Sequence, residues 1–354
     1  MSSSSFPLLR LPSLALKEII DQIGIKEQFK LSLCSKRMYY NVKYFRVKPT
    51  LSLKLYCLGL CFKGKTEIRF LNQKSLEKIV TFGVGEEGDI YYWETGKISF
   101  FDDTERIFSH GNDVIEGTKF LVEFLCDLFA AKVEEVSVID NKIWMLDFIE
   151  KRQGGYSYDA TVCHNTEWTD EQSKQILLDL NPRSLVFEQE KSNKFRIENF
   201  DKKYESLEIH GGTWMTVENL CQLDCVKIEI NHTDFSNTEI NRYFKHVLSG
   251  GAPRLREFRA KVQHPTENVI MDGIRELWTE IERFEDEEGN WNVIGKVARG
   301  EELVLVSIKL ESKSESLLEV KEEAAEQPST SSLVYHYDYN SKHILIEPKS
   351  EIYK

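Results

Sequence analysis

The sequence predicts an α/β chain in two parts: a head of three short helices, then a body of stacked strand–helix units with added β-hairpins. Three observations carry this expectation. Apolar residues recur three and four apart between residues 11 and 46, which is helical spacing. From Leu51 onward they alternate in short runs, as half-buried strands do. Farther along, strand cores return with helical stretches between them.

Composition bounds the reading. The 354 residues are 41% apolar and 11% aromatic, which supplies a core and excludes a wholly disordered chain. With 46 basic and 58 acidic residues the net charge is −12, the wrong sign for a generic nucleic-acid binder. The charge is uneven. Residues 1–50 hold nine basic and three acidic groups, a net +6, which leaves −18 for the remaining 304 residues. A basic head on an acidic body suggests two modules with different partners. The chain shows no apolar run of transmembrane length, and Arg10 and Pro12 interrupt what would be the core of a signal peptide. Seven cysteines without a framework read as free thiols in a reducing compartment, cytoplasmic or nuclear.

In the head, Leu16, Ile19, Ile20 and Ile23 mark a first helix that Ser13 can cap and Gly24 can end through a left-handed turn. A second helix runs from Lys26 to Leu33. Ser35 can cap a third, carrying Met38, Val42 and Phe45, which Pro49 closes. Leu8, Leu9, Leu11, Leu14, Leu31 and Leu33 exceed what three short helices bury among themselves. The surplus either docks on the rest of the chain or meets another protein.

The run Pro7-Leu8-Leu9-Arg10-Leu11-Pro12, then Ile19-Ile20, then Phe29-Lys30-Leu31-Ser32-Leu33-Cys34-Ser35-Lys36-Arg37 resembles an F-box. Met38 stands where that family usually has an aromatic, and Cys34 where it usually has Val. The resemblance implies docking on an acidic Skp-type adaptor that links the chain to a cullin scaffold. It implies an interface of Leu8, Leu11, Pro12, Leu31, Leu33, Cys34, Lys36 and Arg37. A basic rim of Lys26, Lys30, Lys36 and Arg37 would suit an acidic partner.

In the body, 51–56, 67–70 and 97–100 alternate as strands. Strand cores then fall at 136–139, 184–187, 206–209, 226–230 and 255–258. With Val136, Leu185, Leu207, Val226 and Leu255 taken as equivalent, the separations are 49, 22, 19 and 29 residues. The last three sit near the period of about 20–29 residues of leucine-rich repeats. Helices are expected at 141–151, 168–180, 216–223 and 238–248. Such units would stack into a leucine-rich-repeat-like solenoid with an exposed strand face; an ordinary α/β domain with irregular spacing is the alternative. Trp214-Met215-Thr216-Val217-Glu218-Asn219-Leu220, residues 234–244 and Gly250-Gly251-Ala252-Pro253-Arg254-Leu255 are similar to the type 2 F-box-associated domain of the large nematode F-box expansion. This resemblance spans about residues 180–262 and implies capture of a client protein for ubiquitin transfer, with no catalytic residue.

At the C-terminus, 303–310 reads as a strand, 311–332 as a disordered insert, and 333–339 with 343–346 as a hairpin that the strand at Leu303 can join. The expected division is 1–48 for the head and 49–354 for the body.

Other chemistry is weaker. Gly83-Val84-Gly85-Glu86-Glu87-Gly88 spells a dinucleotide fingerprint but leads into a strand and carries two acids, so a hairpin turn is expected. His210, Cys221, Cys225 and His232 are spaced too loosely for zinc, and Cys163-His164 would point to opposite faces of a strand. Glu285-Asp286-Glu287-Glu288-Gly289 lacks alternating oxygen ligands. No metal, cofactor or catalytic residue is therefore expected. The functional expectation is a non-catalytic substrate receptor of a Skp–cullin–F-box ubiquitin ligase, recruiting an unidentified client. The alternative is a repeat-class scaffold with an internally docked head and no ligase.

Overall fold

The computed structural model describes residues 8–46, 52–57, 66–72, 75–84, 89–93, 96–101, 106–109, 114–139, 142–163, 168–192, 194–262, 265–285, 291–299, 302–312, 333–338 and 343–348. A 3-10 turn at Leu8–Arg10 leads into α1 (Ser13–Gln22), α2 (Ile25–Cys34) and α3 (Lys36–Phe45). Ser35 caps α3 as expected, its side chain accepting from the Met38 amide at 3.1 Å. Ser13 does not cap α1. Pro12 occupies the cap position and no side chain closes it. Gly24 separates α1 from α2 in extended backbone at φ −65°, so the expected left-handed turn is not formed.

The body continues with β1 (Ser52–Cys57), β2 (Thr66–Asn72), β3 (Ser75–Val84), β4 (Asp89–Trp93), β5 (Gly96–Phe101) and β6 (Arg106–Ser109). Then come α4 (Val114–Phe129), β7 (Lys132–Val138), α5 (Ile143–Gln153), β8 (Asp159–Val162), and α6 (Asp170–Lys174), which runs on as a π-turn at Gln175–Asp179. The series proceeds through β9 (Ser184–Phe187), β10 (Ser206–Ile209), α7 (Val217–Gln222), β11 (Lys227–Ile230), α8 (Asn237–Leu248) and β12 (Glu257–Val262). It closes with α9 (Glu267–Ile270), β13 (Trp278–Glu285), β14 (Trp291–Arg299) and β15 (Glu302–Ser312). These strands share one sheet, ordered β13-β14-β15-β12-β11-β10-β9-β8-β7-β1-β2-β3-β6-β5-β4. A separate unit, residues 314–354, contributes the hairpin of β16 (Leu333–Asp338) and β17 (His343–Pro348).

The centre of the sheet is a parallel run, β1-β7-β8-β9-β10-β11-β12-β15. Its register aligns Val136, Ala160, Leu185, Leu207, Ile228 and Phe258, each at most 2% exposed. The separations along this row are 24, 25, 22, 21 and 30 residues. Two sequence expectations are corrected by it. The gap of 49 is filled by β8, and the aligned positions near the end are Ile228 and Phe258, not Val226 and Leu255. Because side chains alternate along a strand, the three-residue shift from Leu255 to Phe258 changes both face and row, and the two-residue shift from Val226 to Ile228 changes the row alone.

Three capping devices position the helices. Thr169 with Gln172, Thr216 with Asn219, and Ser236 with Glu239 form reciprocal capping boxes at α6, α7 and α8. Gly211 enters the 3-10 turn at Gly212–Trp214 with φ +73°, and a Cβ there would come within 2.8 Å of the Glu190 Cα. Both facts require glycine.

Elsewhere, β15 extends through Ser312, so Glu311 and Ser312 belong to a strand; the rest of the expected insert, 313–332, lies outside the described residues. β15 pairs with β12 and β14, which replaces the pairing expected between the strand at Leu303 and the C-terminal hairpin. Gly83 and Val84 end β3 and Asp89 begins β4, two strands that are not neighbours, so the hairpin expected around 85–88 is not formed. Of the acidic run, Glu285 ends β13 and 286–289 lie outside the described residues.

Candidate functional site

The head has an inner and an outer side. Leu16 and Ile20 on α1, Phe29 and Leu33 on α2, and Met38, Tyr39 and Val42 on α3 are buried. Leu16/Ile20, Phe29/Leu33 and Met38/Val42 are four apart and Tyr39/Val42 three apart, as one helix face requires. The Gln28 amide donates to the carbonyls of Ile20 (3.0 Å) and Ile23 (3.1 Å), tying the end of α1 to α2.

The inner side packs on α4. Phe29 meets Phe124 edge-on with ring centroids 6.1 Å apart, and Tyr39 meets Phe124 at 5.0 Å. Asp127 accepts from the Tyr39 hydroxyl and from Lys43 Nζ at 2.6 Å to both oxygens. Arg46 donates to the carbonyls of Asp127 (2.6 Å) and Leu128, at the C-terminal end of α4 where a cation complements the helix dipole. Burial pulls the Asp127 pKa upward. The hydrogen bonds from Lys43 and Tyr39, with the charges of Lys43 and Arg46, outweigh that and hold it below the ordinary 3.8. Burial first, then the Asp127 hydrogen bond, drives the Tyr39 hydroxyl well above its ordinary 10.0.

The outer side carries most of the residues expected at an adaptor interface. Pro12, Cys34, Lys36 and Arg37 are exposed, and Leu8, Leu11 and Leu31 are half-buried against the core. Leu33 is different: at 9% exposure it belongs to the head's own core. The leucine surplus is thus largely absorbed within the chain, and Leu14 alone of the six stays strongly exposed, at 73%. The structure adds two residues that sequence reasoning missed, Tyr40 (64% exposed) and Tyr44 (82%). Their signal was present: they lie four apart on α3, out of phase with the buried Met38 and Val42.

In the body, alternate residues of the parallel strands are buried and the others form an open, charged face. Lys54 pairs with Glu135 across β1 and β7, and Arg183 grips Asp159 through two bonds of 2.9 and 2.6 Å. Lys227 lies 3.3 Å from Glu229 and 3.7 Å from Glu257, which Arg259 also meets at 2.6 Å. His210 Nε2 sits 2.7 Å from Glu208. That hydrogen bond, against the pull of burial and with help from Glu188 and Glu229, raises the His210 pKa above 6.5.

Between residues 191 and 260 the core is organised by Trp214, fully buried, with Phe195 edge-on at 5.2 Å and Phe200 at 6.2 Å. Asn219, itself 4% exposed, donates to the Ile197 carbonyl at 2.9 Å and fixes the approach to α7.

The residues weighed for other chemistry are placed as follows. Burial pushes the Cys163 thiol up to about 11, and Ser137 Oγ lies 3.4 Å from it; His164 lies outside the described residues. Burial pushes Cys225 up to about 12 and also raises Cys221. Among the described residues no group of three His, Cys, Asp or Glu side chains is gathered as a metal ion would need. No described helix is long and apolar enough to cross a membrane.

Comparison with known families gives two matches. The F-box domain matches residues 8–50, and the F-box associated family matches residues 191–260. No curated protein and no solved structure matches the chain. The first match falls on the three-helix head with its exposed outer side, the second on the strand–helix units from β10 to β12, and on that ground the chain is an F-box protein carrying an F-box-associated domain.

Proposed function

We propose that this protein is the substrate-recognition subunit of a Skp–cullin–F-box ubiquitin ligase. F-box domains bind Skp-type adaptors in complexes with a cullin. The observation that carries the reading is the presence of both matched segments on one chain, with the head docked to the body by one side and exposed on the other. In this reading Pro12, Cys34, Lys36 and Arg37 meet the adaptor directly. Leu8, Leu11 and Leu31 supply apolar contact beside them, and Leu33 supports them from within. The head spans residues 1–48 and the body 49–354. The parallel run from β7 to β12, with its row separations of 21 to 30 residues, acts as a leucine-rich-repeat-like solenoid that presents its charged strand face to a client protein. A body of charge −18 favours a basic client. The protein itself is non-catalytic, ubiquitin transfer occurring elsewhere in the complex, and it works in the cytoplasm or nucleus, where Cys34, Cys126, Cys163, Cys221 and Cys225 stay free thiols.

The scaffold alternative draws on the α3–α4 contacts, since the head does dock internally. Those contacts use Tyr39, Lys43 and Arg46 and leave Pro12, Cys34, Lys36 and Arg37 exposed. The separating experiment is co-purification of the full chain with the adaptor. Leu11→Ala with Pro12→Ala is expected to abolish it, and so is Lys36→Glu with Arg37→Glu, whose exposed positions leave the head folded. Adaptor binding retained by both variants would sink the ligase reading.

A further inference from the structure

We infer that His210 makes the strand face of the body responsive to pH: with its proton it holds the C-terminal ends of β9, β10 and β11 together, and without it that corner loosens. Its bearing on a client rests on the receptor reading above; the loosening itself needs neither client nor adaptor.

The strand register creates the need for a cation here. Glu208 on β10 lies directly opposite Glu229 on β11, and like charges facing each other across two strands repel. On the β11 side Lys227 (3.3 Å) and Arg259 (4.0 Å) stand against Glu229. On the β10 side His210 Nε2 lies 2.7 Å from Glu208. His210 follows the last residue of β10, and its amide donates to the Phe187 carbonyl at 2.9 Å, which sets it beside Glu188 just past β9. Three strands thus bring carboxylates toward one imidazole: Glu208 from its own, Glu188 and Glu229 from its neighbours. The Glu208 side chain is only 16% exposed, so water screens the pair incompletely. Lys227 and Arg259 keep their charge through neutrality, whereas an imidazole loses its own there.

Backbone bonds converge on the same corner. The Asn231 amide donates to the Ile209 carbonyl (2.8 Å) and the Gly212 amide to the Asn231 carbonyl (2.9 Å). They join β10 to the end of β11 and fix the turn at Gly212–Trp214 that carries the buried indole. The Glu208 hydrogen bond, against burial and with the charges of Glu188 and Glu229, keeps the proton on the folded imidazole to a higher pH than the ordinary 6.5. The hold is therefore complete below 6.5 and is lost as pH rises through the folded value. Beyond that value the face from β9 to β11 has one positive charge fewer.

The test is amide hydrogen exchange of the full chain, followed by NMR from about pH 5.5 to about pH 8.5. The amides of His210, Gly212 and Asn231 read the corner. Those of Glu205 and Lys227, which donate to the Arg183 (2.8 Å) and Glu205 (2.9 Å) carbonyls at the other end of the same strands, are the internal control. Protection of the first group is expected to fall about two- to fivefold relative to the second, as the loss of a partly exposed pair implies. The midpoint should coincide with the titration of the His210 ring. His210→Asn, neutral at every pH, should show the lower protection throughout, and Glu208→Gln should flatten most of the change. Equal change in both groups of amides, a midpoint away from the His210 titration, or a difference that survives His210→Asn would overturn the inference. Those outcomes leave the ligase reading intact, since that reading is decided by adaptor co-purification. Failure of the ligase reading in turn leaves the pH response standing and removes only its use on a client.

Discussion

Asp127→Ala cuts the joint between head and body at its most connected side chain. The Tyr39 hydroxyl, on a residue 8% exposed, loses its acceptor, which costs about 1–3 kcal/mol. The Lys43 bridge, with side chains 35% and 54% exposed, adds only about 0.2–1 kcal/mol. The hydrogen bonds of Arg46 go to backbone carbonyls and are kept. The expected loss is about 2 kcal/mol, felt where α3 leaves α4. Native-state hydrogen exchange of the α3 amides reads that opening directly. Asp127→Asn, which keeps an oxygen for Tyr39, should lose less than half as much. The pH dependence has a definite sign. The folded carboxyl is more acidic than the ordinary 3.8, so the unfolded chain binds more protons between the two values. The joint is therefore at full strength above 3.8 and weakens as pH falls below it, and Asp127→Ala removes that slope. If Asp127→Ala leaves α3 protection within 0.3 kcal/mol of the parent, as a rough threshold well under the bond's worth, the joint is not held there.

Trp214→Ala should cost about 3–5 kcal/mol in urea unfolding, since a fully buried indole between Phe195 and Phe200 leaves a cavity that cannot close; a loss under about 1 kcal/mol would refute its central role. His210 should titrate above 6.5 by NMR and return toward 6.5 in Glu208→Gln, and an unmoved midpoint would remove Glu208 as the cause. The stability this pair adds is present below 6.5 and is lost as pH rises through the folded value, because the folded imidazole holds its proton more tightly. Iodoacetamide at pH 8 should modify exposed Cys34 well before Cys163 or Cys225, whose thiols burial keeps protonated; a Cys163 as fast as Cys34 would refute its burial.

The head was legible because its signals are local. Leu16/Ile20, Phe29/Leu33 and Met38/Val42 each repeat on one helix face, and Ser35 closes a turn with its nearest neighbours. The strands at 184–187 and 206–209 were legible for the same reason, each alternating cleanly. α4 was not. Leu121, Val122, Phe124, Leu125, Cys126, Leu128 and Phe129 are all buried, so the helix is apolar on more than one face and shows no single stripe. Gly117 and the β-branched Val114, Ile115, Thr118 and Val122 further obscure it. β8 escaped because four residues, Asp159 to Val162, turn only Ala160 and Val162 inward, and alanine is a poor strand signal. At the head, the sequence put Leu31 and Leu33 together in one expected interface and did not separate half-buried Leu31 from buried Leu33. Two leucines two apart on a helix point to different sides, and only packing against α4 decides which side is inner.

The docking of α3 on α4 also sets an order of events during synthesis. The head is complete at residue 46, but the helix that covers its inner side ends at Phe129. At about 5–20 residues per second the ribosome needs roughly 4–17 s to make the intervening chain. Throughout that interval Phe29 and Tyr39 have no α4 to rest on, and β1 waits equally for β7, its parallel neighbour. A nascent chain paused in this window presents two uncovered sides of the head, the outer one and the one that α4 later takes.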